Sequence, residues 1–311
     1  MKKKELKLIF NLMYHGKYDF NDLINCNIEK EYIKIKIKKR VIYKASNKLK
    51  NYHSFLNLII FNYLDVDKDV VFSYRRGVNT VDAVRPHVNS CFFYQTDIKN
   101  FFPSLKKDLI KKTIINCKDS IPVIDIEKYI DRIVDLVTID GVLSTGYSTS
   151  PIISNACLFN FDNEIKRKLA NNNVIYSRYS DDIIISSNEN IIVDDMNKII
   201  LLALKNNVSP DIEINKNKTK LSKKGCKIKI LGMVITSDSV ITVDNKYKRE
   251  VEYLLYLYIR DKNRFKSIGK SISQVSGVLN YIQTIDPEYI KKLKKKYGST
   301  IVDVFLHQSM K

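Results

Sequence analysis

The stretch Val174 to Ser187, VIYSRYSDDIIISS, constrains the fold of this chain more than any other. Two runs of β-branched and aromatic residues, Val174-Ile175-Tyr176 and Ile183-Ile184-Ile185, flank Tyr179-Ser180-Asp181-Asp182. The pattern reads as a β-hairpin with two neighbouring carboxylates at its tip. Adjacent acids on a tight turn repel each other and solvate poorly beside an apolar strand. A divalent cation that favours hard oxygen ligands, such as Mg²⁺, relieves both problems. A second pair, Asp194-Asp195, opens the apolar-periodic run Met196 to Leu204. There the acids sit at a helix N-terminus and need no metal. The dipeptide alone is therefore not a site; it needs partners.

The bulk properties narrow the field. The chain has 311 residues, enough for one large mixed domain or two smaller ones. Its 44% hydrophobic and 28% charged content is that of an ordinary globular protein. A formal net charge of +19 favours a polyanionic partner, nucleic acid first. Five scattered cysteines without CxxC spacing read as reduced thiols of a cytoplasmic protein, neither a disulfide frame nor a zinc site. The basic start Met1-Lys2-Lys3-Lys4 is followed by Glu5 and by no apolar core, so no signal peptide is expected. No apolar run approaches membrane-spanning length, and no membrane partner is expected.

Taken in order, residues 5 to 26 predict one or two short helices. Tyr32 to Tyr43 has a period of two, with Ile33, Ile35 and Ile37 on one face and Lys34, Lys36 and Lys38 on the other. It predicts a basic strand or hairpin, whose cations either hold phosphates or protect a solvated edge. Residues 47 to 64 carry a helical pattern. Cys91 to Leu105, CFFYQTDIKNFFPSL, predicts a buried aromatic strand ending in Asp97. A lone acid there is costly unless it is paired or metal-bound. Residues 106 to 139 read as mainly helical. Gly141 to Pro151 is a Gly/Ser/Thr-rich loop feeding a helix through Ile153 to Leu169, either a phosphate-approaching loop or a plain cap. Asn215 to Lys224 is a basic turn. Lys227 to Thr236 reads as a strand with Gly232 inside it. Beyond Asp244, a capping residue, helical spacing predominates, with Asp286-Pro287 starting a last helix and Gly298 ending it. His87 reads as structural or as a nucleic-acid contact, not as a metal ligand.

Three stretches follow in a fixed order: FFYQTDIKNFFPSL, LSTGYSTSPIISN and YSRYSDDIIIS. In that order and spacing the chain resembles a bacterial reverse transcriptase. The resemblance implies an α+β right-hand polymerase, with fingers and a ferredoxin-like palm over residues 1–240 and a small helical thumb over residues 241–311. It implies RNA-directed DNA polymerase activity that adds dNTPs to a primer 3′-hydroxyl. Asp97, Asp181 and Asp182, with the main-chain carbonyl of Ile98, would gather two Mg²⁺ ions, for which Mn²⁺ could substitute. Lys218 is similar to the lysine that approaches the pyrophosphate. Arg40 with Lys38 or Lys36 would hold the triphosphate, and Thr145, Gly146 and Tyr179 would line the nucleotide. Thr145 stands where the family often has Gln. Phe102 aligns with the residue that excludes a ribose 2′-hydroxyl. Leu231-Gly232-Met233 looks like the primer grip.

The chain leaves no room for an RNase H, integrase or maturase domain, which points toward the compact retron and abortive-infection enzymes. Asp82-Ala83-Val84-Arg85-Pro86-His87 stands where retrons usually show Asn-Ala-x-x-His. The implied partners are an RNA template, the DNA product and dNTPs, with a dedicated non-coding RNA and an effector protein if the role is anti-phage defence. The rivals are a template-independent or RNA-synthesising palm polymerase, and an RNA-binding scaffold subunit of a toxin or effector system. Phe102 and the YxDD form, in place of Gly-Asp-Asp, weigh against RNA synthesis, and the three retained acids weigh against a scaffold without catalysis.

Overall fold

A computed structural model describes residues 2–38, 40–170, 173–261, 263–264 and 272–307. Along the chain run α1 (Leu6–Tyr14), α2 (Phe20–Asn25), β1 (Tyr32–Ile37), β2 (Arg40–Ala45), α3 (Asn47–Ile59), α4 (Thr80–Val84) and β3 (Phe92–Asp97). Next come α5 (Phe101–Ser104), α6 (Lys107–Asn116), α7 (Ile126–Val137), the short pair β4 (Thr138–Ile139) and β5 (Val142–Leu143), α8 (Ser150–Cys157) and α9 (Phe159–Leu169). The hairpin β6 (Ile175–Tyr179) and β7 (Asp182–Ser187) leads into α10 (Val193–Asn207). Strands β8 (Lys220–Lys223), β9 (Ile228–Ile230), β10 (Met233–Ile235) and β11 (Ile241–Val243) precede α11 (Asn245–Arg260), α12 (Ile272–Ile285), α13 (Pro287–Tyr297) and α14 (Ser299–His307). The chain is α+β, and it divides into two compact units. The first holds residues 1–78, 94–185 and 191–220, and the second residues 79–93, 186–190 and 221–311.

The first unit is built on a sheet in the order β6-β7-β3-β8. Residues 92–93, 186–187 and 221–223 of these strands are counted with the second unit. Ile183, Ile184 and Ile185 are all buried, which explains why β7 reads as a continuous apolar run and not as an alternation. The outer edge of β6 is covered by Val70 to Phe72, which run parallel to it. Arg178 N–H donates to the Val70 carbonyl at 2.7 Å and Phe72 N–H to the Arg178 carbonyl at 3.0 Å. Helix α3 is capped by Ser46, whose hydroxyl accepts from Leu49 N–H. Asp194 and Asp195 lie in the first turn of α10, where the helix dipole favours them. An aromatic cluster ties the N-terminal helices to α3, with Phe10 edge-on to Phe20 and Phe55 at 5.5 and 5.1 Å between ring centroids.

Two local expectations need correction, and the expected basic hairpin forms. The helix expected from Ile153 to Leu169 is two helices, because Leu158 N–H closes a tight turn onto the Asn155 carbonyl at 3.3 Å. The period-two segment forms the antiparallel hairpin β1–β2 with Ile37 opposite Arg40, yet its isoleucine side is bare. Ile33 and Ile37 are 64% and 52% exposed. Alternation set the pairing, and nothing among the described residues supplies a layer to cover that face. The strand expected over Lys227 to Thr236 is split by a turn. Leu231 and Gly232 both take positive φ, 48° and 84°, so β9 folds back on β10 with Met233 opposite Ile230. That is the backbone a two-residue hairpin of the right twist requires.

The second unit contains the sheet β11-β10-β9 and the helices α11 to α14. Asp244 caps α11 through Lys246 N–H, Asp286 and Pro287 start α13, and Gly298 ends it at φ 93°. The lysines of α13 are tied in part to acids: Lys291 to Glu288, Lys294 to Asp303 and Lys296 to Glu252.

Candidate active site

Strand β3 carries an acid at its end because the strand stops there: Asp97 is 4% exposed beneath an aromatic run. The β6–β7 turn lies alongside, since Ile98 N–H donates to the Asp181 carbonyl at 3.1 Å. Only Asp181 shares the turn with Ser180; Asp182 already belongs to β7. The hairpin tip is thus Ser180-Asp181, one residue earlier than the sequence pattern placed the acid pair. Ile98 is itself buried.

Lys218 enters from the other side. Asn215 N–H donates to the Asp97 carbonyl at 2.8 Å, and Lys218 N–H closes a turn onto Asn215 at 2.9 Å. Thr219 and Thr96 share a hydroxyl contact at 2.8 Å. This anchoring brings Lys218 Nζ to 2.6 Å from Asp97 Oδ2. The other carboxylate oxygen, Asp97 Oδ1, is buried and accepts no hydrogen bond.

The electrostatics follow from this crowding. Burial, then the charges of Asp181 and Asp97, push the Asp182 carboxyl up to about 6, with Lys218 and Lys220 opposing. The Asp97 hydrogen bond holds the Lys218 ammonium above the usual lysine range, and the charges of Asp97, Asp181 and Asp182 add to it. Three carboxylates and two ammonium groups therefore share one field. Among the described residues, no three of His, Cys, Asp and Glu close around a single point as metal ligands. The donor chemistry nevertheless fits a hard divalent cation. The oxygens are anionic, one of them is buried without a partner, and their mutual repulsion is relieved only by added positive charge.

The remaining predicted residues fall into three places. Phe102 is half-buried on α5, its ring 5.3 Å from that of Phe101. Tyr179 ends β6 half-buried, and burial raises its phenol. Arg40, Lys38 and Lys36 are exposed on the β1–β2 hairpin. Thr145 and Gly146 dock against that same hairpin: Tyr43 N–H donates to the Thr145 carbonyl at 2.8 Å. Gly146 has φ 107°, and a Cβ there would lie 2.5 Å from Ile42 Cγ2 and 2.7 Å from the Tyr43 carbonyl oxygen. Its glycine is required by close approach to β2 as well as by conformation. Leu231, Gly232 and Met233 belong to the second unit, where Met233 is fully buried in the core. His87, also in that unit, is buried with Nδ1 2.7 Å from the Ser186 hydroxyl, a structural position.

Sequence reasoning missed Arg178, which is completely buried, and its partner Asp162. The available signal was a lone arginine between the tyrosines of a strand that carries no other charge.

A palm-like sheet that brings these acids together is the mark of a nucleotide polymerase. Residues 28–235 match the model of the reverse transcriptase (RNA-dependent DNA polymerase) family, and the chain belongs to that family. It is an RNA-directed DNA polymerase. Among curated proteins it is similar to the Retron Ec73 reverse transcriptase of Escherichia coli, 28% identical over 273 residues and covering 84% of each chain. It is likewise similar to the Retron Ec83 reverse transcriptase of Escherichia coli, 26% identical over 243 residues and covering 75% of each chain. The Retron Ec86 reverse transcriptase of Escherichia coli is 26% identical over 271 residues, covering 83% of this chain and 78% of the relative. The expected kinship with compact bacterial enzymes is thus borne out, despite the altered stretch before His87. Among the described residues no helix is long and apolar enough to cross a membrane.

Proposed function

We propose that Asp97, Asp181 and Asp182 are the catalytic acids of this polymerase and add deoxynucleotides to a primer 3′-hydroxyl on an RNA template. The observation that carries this reading is the buried, unpartnered Oδ1 of Asp97 beside a carboxyl, Asp182, destabilised by its acidic neighbours. Such a cluster is costly unless a cation joins it. Two divalent cations, Mg²⁺ or Mn²⁺ in its place, would be held by these three carboxylates and the Ile98 carbonyl; when bound they supply neutralising charge at the primer hydroxyl and the triphosphate.

The chain's own residues do the rest. The primer 3′-hydroxyl releases its proton to solvent as its oxygen forms a bond to the α-phosphorus and the bond from that phosphorus to the departing pyrophosphate breaks. Lys218, kept protonated by its acidic neighbours, holds a proton at Nζ for the leaving group. Arg40, with Lys38 or Lys36, binds the triphosphate from the exposed hairpin. Thr145 and Gly146 line the nucleotide, Tyr179 supports it, and Phe102 denies space to a ribose 2′-hydroxyl. Leu231-Gly232-Met233 acts as primer grip. Residues 1–240 serve as fingers and palm and 241–311 as a thumb that follows the hybrid by backbone contacts.

The setting in this reading is the bacterial cytoplasm, with a dedicated non-coding RNA, an effector protein and a role in anti-phage defence. Kinship with retron enzymes supports it. The test of the chemistry offers dNTPs or NTPs on primed RNA, on primed DNA and without template. Incorporation of dNTPs on primed RNA, abolished by joint Asp181→Ala and Asp182→Ala, is the expected result. Faster NTP use or template-free synthesis overturns the reading. The defence role fails if deleting the gene leaves phage plating unchanged across a broad panel.

A further inference from the structure

The turn that carries Asp181 is held from below by a buried polar network that no catalytic role accounts for. Its centre is Arg178, with no exposed side-chain surface, paired with the equally buried Asp162. Arg178 Nη2 donates to Asp162 Oδ2 at 2.6 Å and Nε to Oδ1 at 2.8 Å, a two-pronged pairing that fixes the guanidinium plane. Tyr176 donates to Asp162 Oδ1 at 2.6 Å. The remaining donors of Arg178 face the next elements. Nη1 reaches Asn155 Oδ1 at 3.2 Å and the Ser180 carbonyl at 3.0 Å, and Nη2 reaches the Asn155 carbonyl at 3.3 Å.

Ser180 is the residue on which this network converges. It takes a left-handed backbone at φ 61°, which a serine rarely adopts unaided. All three of its polar groups are held. Its carbonyl accepts from Arg178, its N–H donates to the Ser73 hydroxyl at 2.8 Å, and its own hydroxyl contacts Tyr74 OH at 3.0 Å. Ser73 is in turn held by Asn155, donating to Oδ1 at 3.1 Å and accepting from Nδ2 at its carbonyl at 2.8 Å. Ser73 and Tyr74 can reach the turn because Val70 to Phe72 run parallel to β6.

We infer that Arg178, Asp162, Asn155, Ser73 and Tyr74 form a clamp of positioning residues that sets the left-handed Ser180 and thereby the directions of Asp181 and Asp182. A buried ion pair is a poor investment in stability alone, since an apolar replacement often does as well. A planar five-donor group that bonds three separate elements fixes geometry in a way an apolar side chain cannot. The clamp rests on the assignment of Asp181 and Asp182 as catalytic acids.

Three single variants test it: Ser73→Ala, Tyr74→Phe and Arg178→Lys. Tyr74→Phe removes one hydroxyl from a partly exposed ring, so it keeps the test usable if Arg178→Lys does not fold. Each is measured for melting temperature, for kcat and KM for dNTP on primed RNA, and for the Mg²⁺ concentration giving half-maximal rate. The expected result for Ser73→Ala is a kcat loss of roughly 10-fold or more. Its KM for dNTP stays within about twofold, because the nucleotide contacts are untouched. Its half-maximal Mg²⁺ concentration rises, and its melting temperature falls by only a few degrees, the cost of leaving the buried Ser180 N–H without its acceptor. Ser73→Thr, which keeps the hydroxyl, restores kcat. Combining Ser73→Ala with Tyr74→Phe costs less than the product of the single losses, since both act on one turn. Unchanged kcat and Mg²⁺ dependence in folded Ser73→Ala and Tyr74→Phe overturn the clamp. Absence of dNTP incorporation by the unaltered protein would instead strike the catalytic assignment.

Discussion

Gly146→Ala is the most informative single methyl group that can be added to this protein. Two costs act there. An L-residue at φ 107° is strained wherever it stands, by at least the ~1–2 kcal/mol typical of left-handed backbone. The new Cβ would also stand 2.5 Å from Ile42 Cγ2 and 2.7 Å from the Tyr43 carbonyl oxygen. A side-chain methyl can rotate away, but a strand carbonyl cannot move without its strand, and overpacking of this kind costs about 1–3 kcal/mol. Gly141 supplies the control, with φ 76° and nothing within 4 Å of a built Cβ. Gly141→Ala therefore meets the backbone cost alone, about 1–2 kcal/mol. The difference between the variants, about 1–3 kcal/mol, isolates the contact with β2. At roughly 2–4 °C per kcal/mol for a chain of this size, Gly146→Ala melts several degrees below Gly141→Ala. The same clash loosens the Tyr43–Thr145 hydrogen bond and displaces the hairpin bearing Arg40. In primer extension, KM for dNTP accordingly rises for Gly146→Ala and not for Gly141→Ala. Equal melting temperatures and equal KM values would refute the reasoning.

Three further outcomes can be measured independently. If Phe102 is the proposed gate, Phe102→Ala lowers the preference for dNTP over NTP by roughly 10-fold or more, read from the ratio of kcat/KM values; an unchanged ratio removes Phe102 from that role. Lys218→Met takes the ammonium from Asp97, so Mg²⁺ raises the melting temperature of this variant by more than that of the unaltered protein, a linkage that equal Mg²⁺ shifts would disprove. Burial pushes the imidazole of His53 down to about 4 from its ordinary 6.5. The unfolded chain binds that proton first, so the stability is fully present above about pH 6.5 and is lost as pH falls toward 4, about 2–3 kcal/mol by pH 4.5. Replacing His53 by Leu flattens the fall in melting temperature between pH 6.5 and 4.5, and an unchanged slope would count against it.

Much of the site was legible because its chemistry is local. Asp97 ends an aromatic strand, and Asp181-Asp182 follow a β-branched run, so burial of acids could be read from their neighbours. The caps at Asp244 and Asp286 and the stop at Gly298 were legible for the same reason, since each acts within one turn of its helix. Features that depend on packing were not. The bare isoleucine side of β1 has the same alternation as a covered strand, and Leu231 gives no warning of a positive φ. The break at Leu158 lies in unbroken helical periodicity.

The sequence pointed to the class of chemistry, because three stretches in a fixed order resemble those of bacterial reverse transcriptases. It also determined most elements, through periodicity and caps. The three-dimensional fold was needed to show that Lys218 meets Asp97, residues 121 positions apart, and that Gly146 lies against β2. It alone showed that Arg178 faces inward to Asp162 and Asn155 instead of outward to solvent or nucleic acid. The physical reason is common to all three. A charge or a missing side chain takes its meaning from what lies across the fold, and strand periodicity is blind to the far side.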